Sequence, residues 1–423
     1  MIDRMHAATL HVLYNALLII ALPVIWIRLV FKGRMERRSE RFGRLPESIP
    51  KGAVWFHTVS AGETIAAAPL IRELAISCPE ISFLVTTMTP TGSEQVENLL
   101  GDVVDHAYAP YDFPWAVARF LDRAEPKALV LMETELWPNL IAQCAERNIP
   151  ALLVNARLSE RSARGYRRVA SLTRDMLEKL DLIICQYDDS KQRFLDLGAP
   201  AEVVEVAGSV KFDLTLPAES GATIEKLKAT WVGSRLAWIA ASTHQGEDEI
   251  VLRAHQTLRS TFRDLLLVLV PRHPERFDDV ANLSGSRGFT TGRLSQAPGQ
   301  QVDVLVGDTM GQLIDLYGIA DVAFIGGSLV PHGGHNPIEA AVHGKAMLMG
   351  PHRFNFEEIA GRFADAGCLH TVNGANTLAD AVRALLGDEP RRSREGAQAK
   401  MVVSANAGAR SRLHRRLQAL LAG

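Results

Sequence analysis

The residues of this chain best suited to chemistry fall in a few short stretches, each close behind a run of apolar residues. Glu63 closes the stretch HTVSAGE at 57–63, just after the apolar run 54–57, and Glu133 and Glu135 lie in ETELWPN at 133–139, just after 128–131. A carboxylate at the carboxyl end of a buried strand faces the crevice in which open α/β sheets hold ligands. Ionised and within hydrogen-bond reach of a hydroxyl, it removes a proton as a general base. For Glu63 a second role stays open, that of a first-turn acid answering a helix dipole. Lys211, in GSVKFD at 208–213, is placed to neutralise charge on a leaving group, or is an exposed lysine without a task.

Arg272 follows the apolar run 265–270 directly, in PRHPERF at 271–277, and suits a phosphate or a carboxylate. The stretch 307–339 holds a helical stripe (Leu313, Leu316, Tyr317, Ile319), a buried run at 322–325, and Gly326, Gly327, Gly333 and Gly334. Those glycines let the backbone turn sharply and approach a ligand. Asn336 suits an N-cap, Pro337 the first helical position and Glu339 a capping-box acid, so a helix is expected there with its N–H groups turned to an anion. An ordinary capped helix after a glycine turn has the same local pattern. His332 and His335 share that turn without a Cys or carboxylate ligand set, so no metal site is expected. The arginines Arg157, Arg161, Arg164, Arg167, Arg168 and Arg174 make a solvated helix face or, at a membrane, a surface for phosphate.

These residues need a scaffold, and the pattern around them supplies one. Short buried runs at 54–57, 83–86, 128–131, 151–154 and 182–185 alternate with amphipathic helical stripes, and the alternation resumes at 237–240, 265–270, 304–306, 322–325 and 346–349. Such alternation implies parallel sheets. At 423 residues the chain exceeds one core, and the break between 203 and 230 marks a junction. The expected organisation is a membrane anchor at 1–32, a first domain at 33–214 and a second at 215–423, whose basic, helical closing segment has the option of crossing back over the first.

A net charge of −2 argues against a nucleic-acid binder. The four cysteines, Cys78, Cys144, Cys185 and Cys368, are far apart and form no CxxC pair, which signals neither a disulfide framework nor a thiolate metal site and fits a reducing compartment. Residues 7–27 lack any acidic or basic side chain and are long enough to cross a hydrocarbon core of about 20 residues. The flank of Arg28, Lys32, Arg34, Arg37, Arg38, Arg41 and Arg44 places the rest of the chain on the cytoplasmic side. No small-x-small cleavage site follows, which favours an anchor over a signal peptide. His11, Asn15 and Pro23 weaken a spanning helix and leave a tilted or monotopic segment open.

HTVSAGE, ETELWPN and the stretch 307–340 together resemble the bacterial 3-deoxy-D-manno-octulosonic acid (Kdo) transferases of lipopolysaccharide synthesis. TTMTPTG at 86–92, NARLSERS at 155–162, GSVKFD and PRHPERF extend the resemblance over nearly the whole chain. It implies an α/β GT-B glycosyltransferase, two Rossmann-like parallel-sheet domains facing a cleft, with an N-terminal membrane anchor. It further implies CMP-Kdo as donor, a lipid A precursor as acceptor, the cytoplasmic face of the inner membrane as location, and neither cofactor nor metal. Carried over by motif, Glu63 is the general base on the acceptor hydroxyl, and Glu133 and Lys211 steady the transition state. Pro271, Arg272, Met310, Gly311, Gln312, Asn336, Pro337, Ile338 and Glu339 hold CMP. Ile338 stands where Leu is expected, the one mild departure. A two-lobed nucleotide-sugar epimerase and a non-catalytic, membrane-tethered nucleotide-sugar sensor are the alternatives, the first needing no membrane segment and the second no Glu63 or Lys211.

Overall fold

The computed structural model describes residues 2–31, 37–296 and 301–421. They form two compact units, one of residues 1–213 with 407–423, the other of 214–406. In the first, strands β1 (Val54–His57), β2 (Phe83–Thr87), β3 (Asp105–Tyr108), β4 (Ala128–Met132), β5 (Ala151–Ala156), β6 (Leu182–Cys185) and β7 (Val204–Val206) make a sheet in the order β3-β2-β1-β4-β5-β6-β7. In the second, β8 (Ala237–Thr243), β9 (Leu266–Pro271), β10 (Thr291–Arg293), β11 (Val304–Val306), β12 (Val322–Ile325), β13 (Ala346–Met349) and β14 (Leu369–Thr371) are ordered β10-β11-β9-β8-β12-β13-β14. The pairings at the centre of each sheet are parallel. Strand order reverses between β1 and β4 in one sheet and between β8 and β12 in the other, and ligands of such sheets gather at that reversal.

The apolar runs become central strands because helices cover both of their faces. In the first sheet Trp55, Leu84, Leu129, Leu131, Leu153 and Ile183 pack on one side, and their strand neighbours Val54, Phe56, Val85, Val130, Val154 and Ile184 on the other. That is the period of two expected of a pleated strand. The second side is closed by the last helix, Ala409–Leu421, through Ala409, Leu413 and Leu417. Asp213 fixes the start of that helix by accepting from Gly408 N (2.5 Å) and Arg410 N (2.6 Å), and Arg410 pairs with Glu73 at 2.9 Å. Residues 407–423 therefore belong with the first unit, a correction to the expected boundary of 215–423, because their apolar stripe completes the first core.

The apolar N-terminal run is a single helix, α1 (Ile2–Phe31). Its less exposed positions, Ala7, Leu10, His11, Tyr14, Asn15, Leu18, Ala21, Leu22 and Ile25, recur at helical spacing, so one face lies lengthwise on the first unit. The polar residues on that face have partners: His11 Nε2 is 2.7 Å from Asn139 Oδ1, Tyr14 donates to Asp112 at 2.9 Å, and Asn139 donates to Asn15 at 2.7 Å. The opposite face exposes Val12, Leu13, Leu17, Ile19, Ile20, Val24 and Ile27.

Of the basic flank, Lys32 and Arg34 lie outside the described residues. Arg41 is not a flanking charge but is 2% exposed, set 4.0 Å over the Tyr108 ring and donating to Met88 O. Arg37 is held by Glu40 and by His106 O.

Candidate active site

The turn after β1 places Glu63 in the first turn of α2 (Ala61–Ser77). Ser60 caps that helix, its Oγ accepting from Glu63 N and donating to Glu63 Oε1 at 2.8 Å, while Val59 N donates to Oε2 at 2.8 Å. The carboxylate thus bonds the cap hydroxyl and the backbone just before it, so Glu63 does have a structural part at the helix start. It does not exhaust the residue. Glu63 is 8% exposed, and burial, followed by the negative charges of Glu135 and Glu133, pushes its carboxyl up to about 8, against the pull of Ser60 and Val59.

Glu133, Glu135 and Lys211 share this edge of the first sheet. Glu133 directly follows β4 and pairs with Lys211 at 2.9 Å, each side chain 21% exposed. Glu135 accepts from Trp137 Nε1 at 2.8 Å, and burial raises its carboxyl. Two non-glycine residues here adopt left-handed backbone, Glu133 (φ 56°) and Asn155 (φ 52°). They are neighbours across the β4–β5 edge, Glu133 N donating to Val154 O at 3.1 Å. Asn155 also accepts from Val210 N at 3.3 Å, which fixes the short turn carrying Lys211. Backbone strain of this kind collects where side chains must be aimed. Sequence alone brought out Glu133 and Lys211 but not Asn155, although it sits in NARLSERS and is one of the residues most tolerant of that conformation.

In the second unit Arg272 follows β9, is exposed, and has its N–H on Thr243 O at 3.0 Å. Its neighbour Arg276 is committed to the fold by an ion pair with buried Asp248 and a 2.9 Å bond to Thr243 O. Four histidines gather at this edge: His244 Nε2 is 2.8 Å from His335 Nε2, His332 stacks on His244 at 4.1 Å between ring centroids, and His273 meets it edge-on at 5.4 Å. Burial, then the charges of neighbouring histidines and arginines, lowers His244 to about 4 and His335 to about 3. His244 was missed from the sequence. Its signal was the turn THQGE after the apolar run at 237–240, the same strand-turn-helix grammar as HTVSAGE.

The remaining expected donor contacts divide between surface and core. Met310 is 62% exposed and Gly311 is left-handed at φ 81°, while Gln312 caps the helix Leu313–Ile319 and accepts from Thr309 at 2.6 Å. Asn336 accepts from Ile338 N at 3.1 Å, and burial raises the carboxyl of Glu339. Pro271 and Ile338 are buried, so the exchange of Leu for Ile at 338 concerns packing. The helix that follows, Ile338–Val342, has five residues, and the N–H groups of Gly327, Ser328 and Leu329 in the preceding turn are bonded to Glu247.

A family profile described as 3-Deoxy-D-manno-octulosonic-acid transferase (kdotransferase) matches residues 36–214. The chain is 42% identical to a 3-deoxy-D-manno-octulosonic acid transferase of Haemophilus influenzae, over 95% of this chain and 96% of the relative. It is 36% identical to one of Bordetella pertussis, over 92% and 94% of the two chains. Among solved structures, a UDP-GlcNAc 2-epimerase of Neisseria meningitidis bound to UDP-GlcNAc superposes with a TM-score of 0.59 over 88% of this chain and all of that one, at 16% identity, a likeness of fold alone. With two parallel α/β units of the GT-B type and this identity along its length, the chain belongs to the Kdo transferase family of glycosyltransferases.

Proposed function

We propose that the protein transfers Kdo from CMP-Kdo to a lipid A precursor at the cytoplasmic face of the inner membrane, without a metal, and with Glu63 as the general base. The observation that carries this is the environment of Glu63: a buried carboxyl raised to about 8, beside the Glu133–Lys211 pair. A carboxylate made more basic by its surroundings takes a proton from a sugar hydroxyl more readily than an ordinary one. The acceptor oxygen attacks the anomeric carbon of Kdo, the bond from that carbon to the phosphate oxygen breaks, and CMP departs with the electron pair. The displacement is direct and inverts the carbon. Glu63 holds the proton. Glu133 and Lys211 answer charge as it develops, and Arg272 pairs with the CMP phosphate. Positive charge from side chains makes a metal dispensable.

The acceptor assignment is supported by α1. Its outward face is apolar, and beside it lies a groove of ≈ 720 Å³ lined by Leu22, Pro23, Trp26, Phe42 and Trp115 and rimmed by Arg38, Arg44 and Arg119. Acyl chains and a phosphate fit such a surface. Asn139, which holds α1, belongs to the same ETELWPN stretch as Glu133 and Glu135, so the helix at the bilayer and the acidic edge are built on one segment. A helix docked along its length in this way lies at the interface with its outer face in the lipid.

Purified protein incubated with CMP-Kdo and a tetra-acylated lipid A precursor should yield the precursor with added Kdo mass. An altered nucleotide sugar and an unmodified lipid would refute the assignment.

A further inference from the structure

Glu247 begins the helix Glu247–Arg259 behind β8, and it is fully buried. Its carboxylate reaches the turn after β12. Oε2 accepts from Gly327 N at 2.6 Å and from His244 N at 2.9 Å, and Oε1 from Ser328 N at 3.0 Å and Leu329 N at 2.8 Å. Three successive N–H groups converge on one anion, headed by left-handed Gly327 (φ 66°). Such a nest is the kind of concavity that receives phosphate, and here the anion is part of the chain.

The surrounding turn has no slack. A Cβ on Gly326 would lie 2.6 Å from Ser242 O, and one on Gly350 would lie 2.0 Å from Ser328 O. Ser328 Oγ accepts from Gly350 N at 2.8 Å. The His244–His335 bond joins the β8 and β12 turns a second time.

We propose that Glu247 is a positioning residue for the donor: an internal anion that fills the nest of the β12 turn and thereby fixes the loop carrying His332, His335 and Asn336. The identity of the donor is taken from the function proposed above. With the N–H groups of 327–329 occupied, the donor phosphate is directed instead to Arg272 and to the side chains of that loop. An amide at position 247 turns one of the two acceptor oxygens into an NH2 facing N–H donors, so the turn opens rather than losing one bond.

The test uses the full-length enzyme with Glu247→Ala and Glu247→Gln. The KM for CMP-Kdo should rise about tenfold or more while the KM for the lipid acceptor stays unchanged. Formate, small enough to enter the vacated nest and carrying two oxygens, should restore the donor KM in Glu247→Ala and not in Glu247→Gln. A fall in kcat with no donor-specific change, or no response to formate, overturns the proposal. If Glu247→Ala does not fold, Glu247→Asp replaces it, and a donor KM nearer to wild type than that of Glu247→Gln supports the proposal while an equal or larger one overturns it. The amide resonances of Gly327 and Leu329, selectively labelled with nitrogen-15, give a reading independent of the donor. They should shift in Glu247→Gln and return towards wild type with formate in Glu247→Ala. Unchanged resonances overturn the placement of the carboxylate even if CMP-Kdo is not the substrate, whereas shifted resonances with no turnover of CMP-Kdo by wild type would reject only the donor.

Discussion

Glu63 and Glu247 occupy corresponding places, each in the first turn of the helix that follows β1 or β8, next to the reversal of strand order. The fold treats them in opposite ways. Glu247 is surrounded by four backbone N–H donors, and a carboxylate so held stays where it is. Glu63 has one N–H and one hydroxyl, and its electrostatic neighbours include the carboxylates of Glu135 and Glu133. One glutamate is saturated and serves as a strut; the other is left short of donors and has a raised affinity for a proton. The same residue in the same local grammar becomes structure or chemistry according to what the neighbouring strand end offers it.

The strongest way to break this contrast is Glu63→Gln, which keeps the shape and removes the base. Turnover should fall by about 10²–10⁴ while CMP binding, measured by calorimetry, stays intact. Retained turnover would return Glu63 to the rank of a capping residue. Lys211→Met comes next, expected to cut kcat/KM by about tenfold to a hundredfold, since it removes the cation paired with Glu133 and leaves a partly buried carboxylate unpartnered. An unchanged rate would make that pair a fold contact only.

pH sharpens the contrast. Because Glu63 acts ionised, kcat should climb as pH rises through about 8. Glu135→Gln removes the second-largest cause of the shift after burial, so the rising limb should move to lower pH; a limb that stays in place would show that another group titrates. Stability must run the other way. The folded carboxyl of Glu63 holds its proton more tightly than the unfolded one, so between its ordinary value of 4.5 and about 8 the folded state binds more protons and stability falls as pH rises. Relative to wild type, Glu63→Gln should therefore gain thermal stability between about pH 5 and about pH 9, while Glu247→Gln should lose it at both. Parallel melting shifts for the two variants would erase the distinction.

Much of this arrangement is legible in the sequence. The central strands are continuous apolar runs, and Glu63, Glu133 and Arg272 stand out because each closely follows one. The edge strands β3, β7, β10 and β14 were not legible. Asp105–Tyr108 and Thr291–Arg293, for example, mix polar and charged residues and are only partly buried, so no apolar run announces them. The task of Glu247 was hidden for another reason: its partners Gly327, Ser328 and Leu329 lie about 80 residues away in sequence, and only the adjacency of β8 and β12 joins them. The docking of α1 was half visible. Its apolar composition suits a spanning helix as well as a docked one, and of the residues that count against a lipid-facing span, His11, Asn15 and Pro23, the first two are explained once Asn139 is seen to bond both.

The smallest effect expected concerns Ser242, which ends the comparison on backbone rather than charge. It is left-handed at φ 55° and 7% exposed, and its carbonyl, with that of Ala241, confines position 326 to glycine. A serine held there costs about 1–3 kcal/mol, and something must impose the conformation. If the Glu247 carboxylate and the β8–β12 contact impose it, Ser242→Gly relieves strain in a turn that is already fixed. That gain is offset by the roughly 0.5–1 kcal/mol that glycine loses in conformational freedom. The thermal midpoint should then change little and the donor KM not at all. If the side chain of Ser242 itself sets the turn, the same substitution should raise the donor KM as Glu247→Gln does, and the role of strut would pass from the glutamate to the serine.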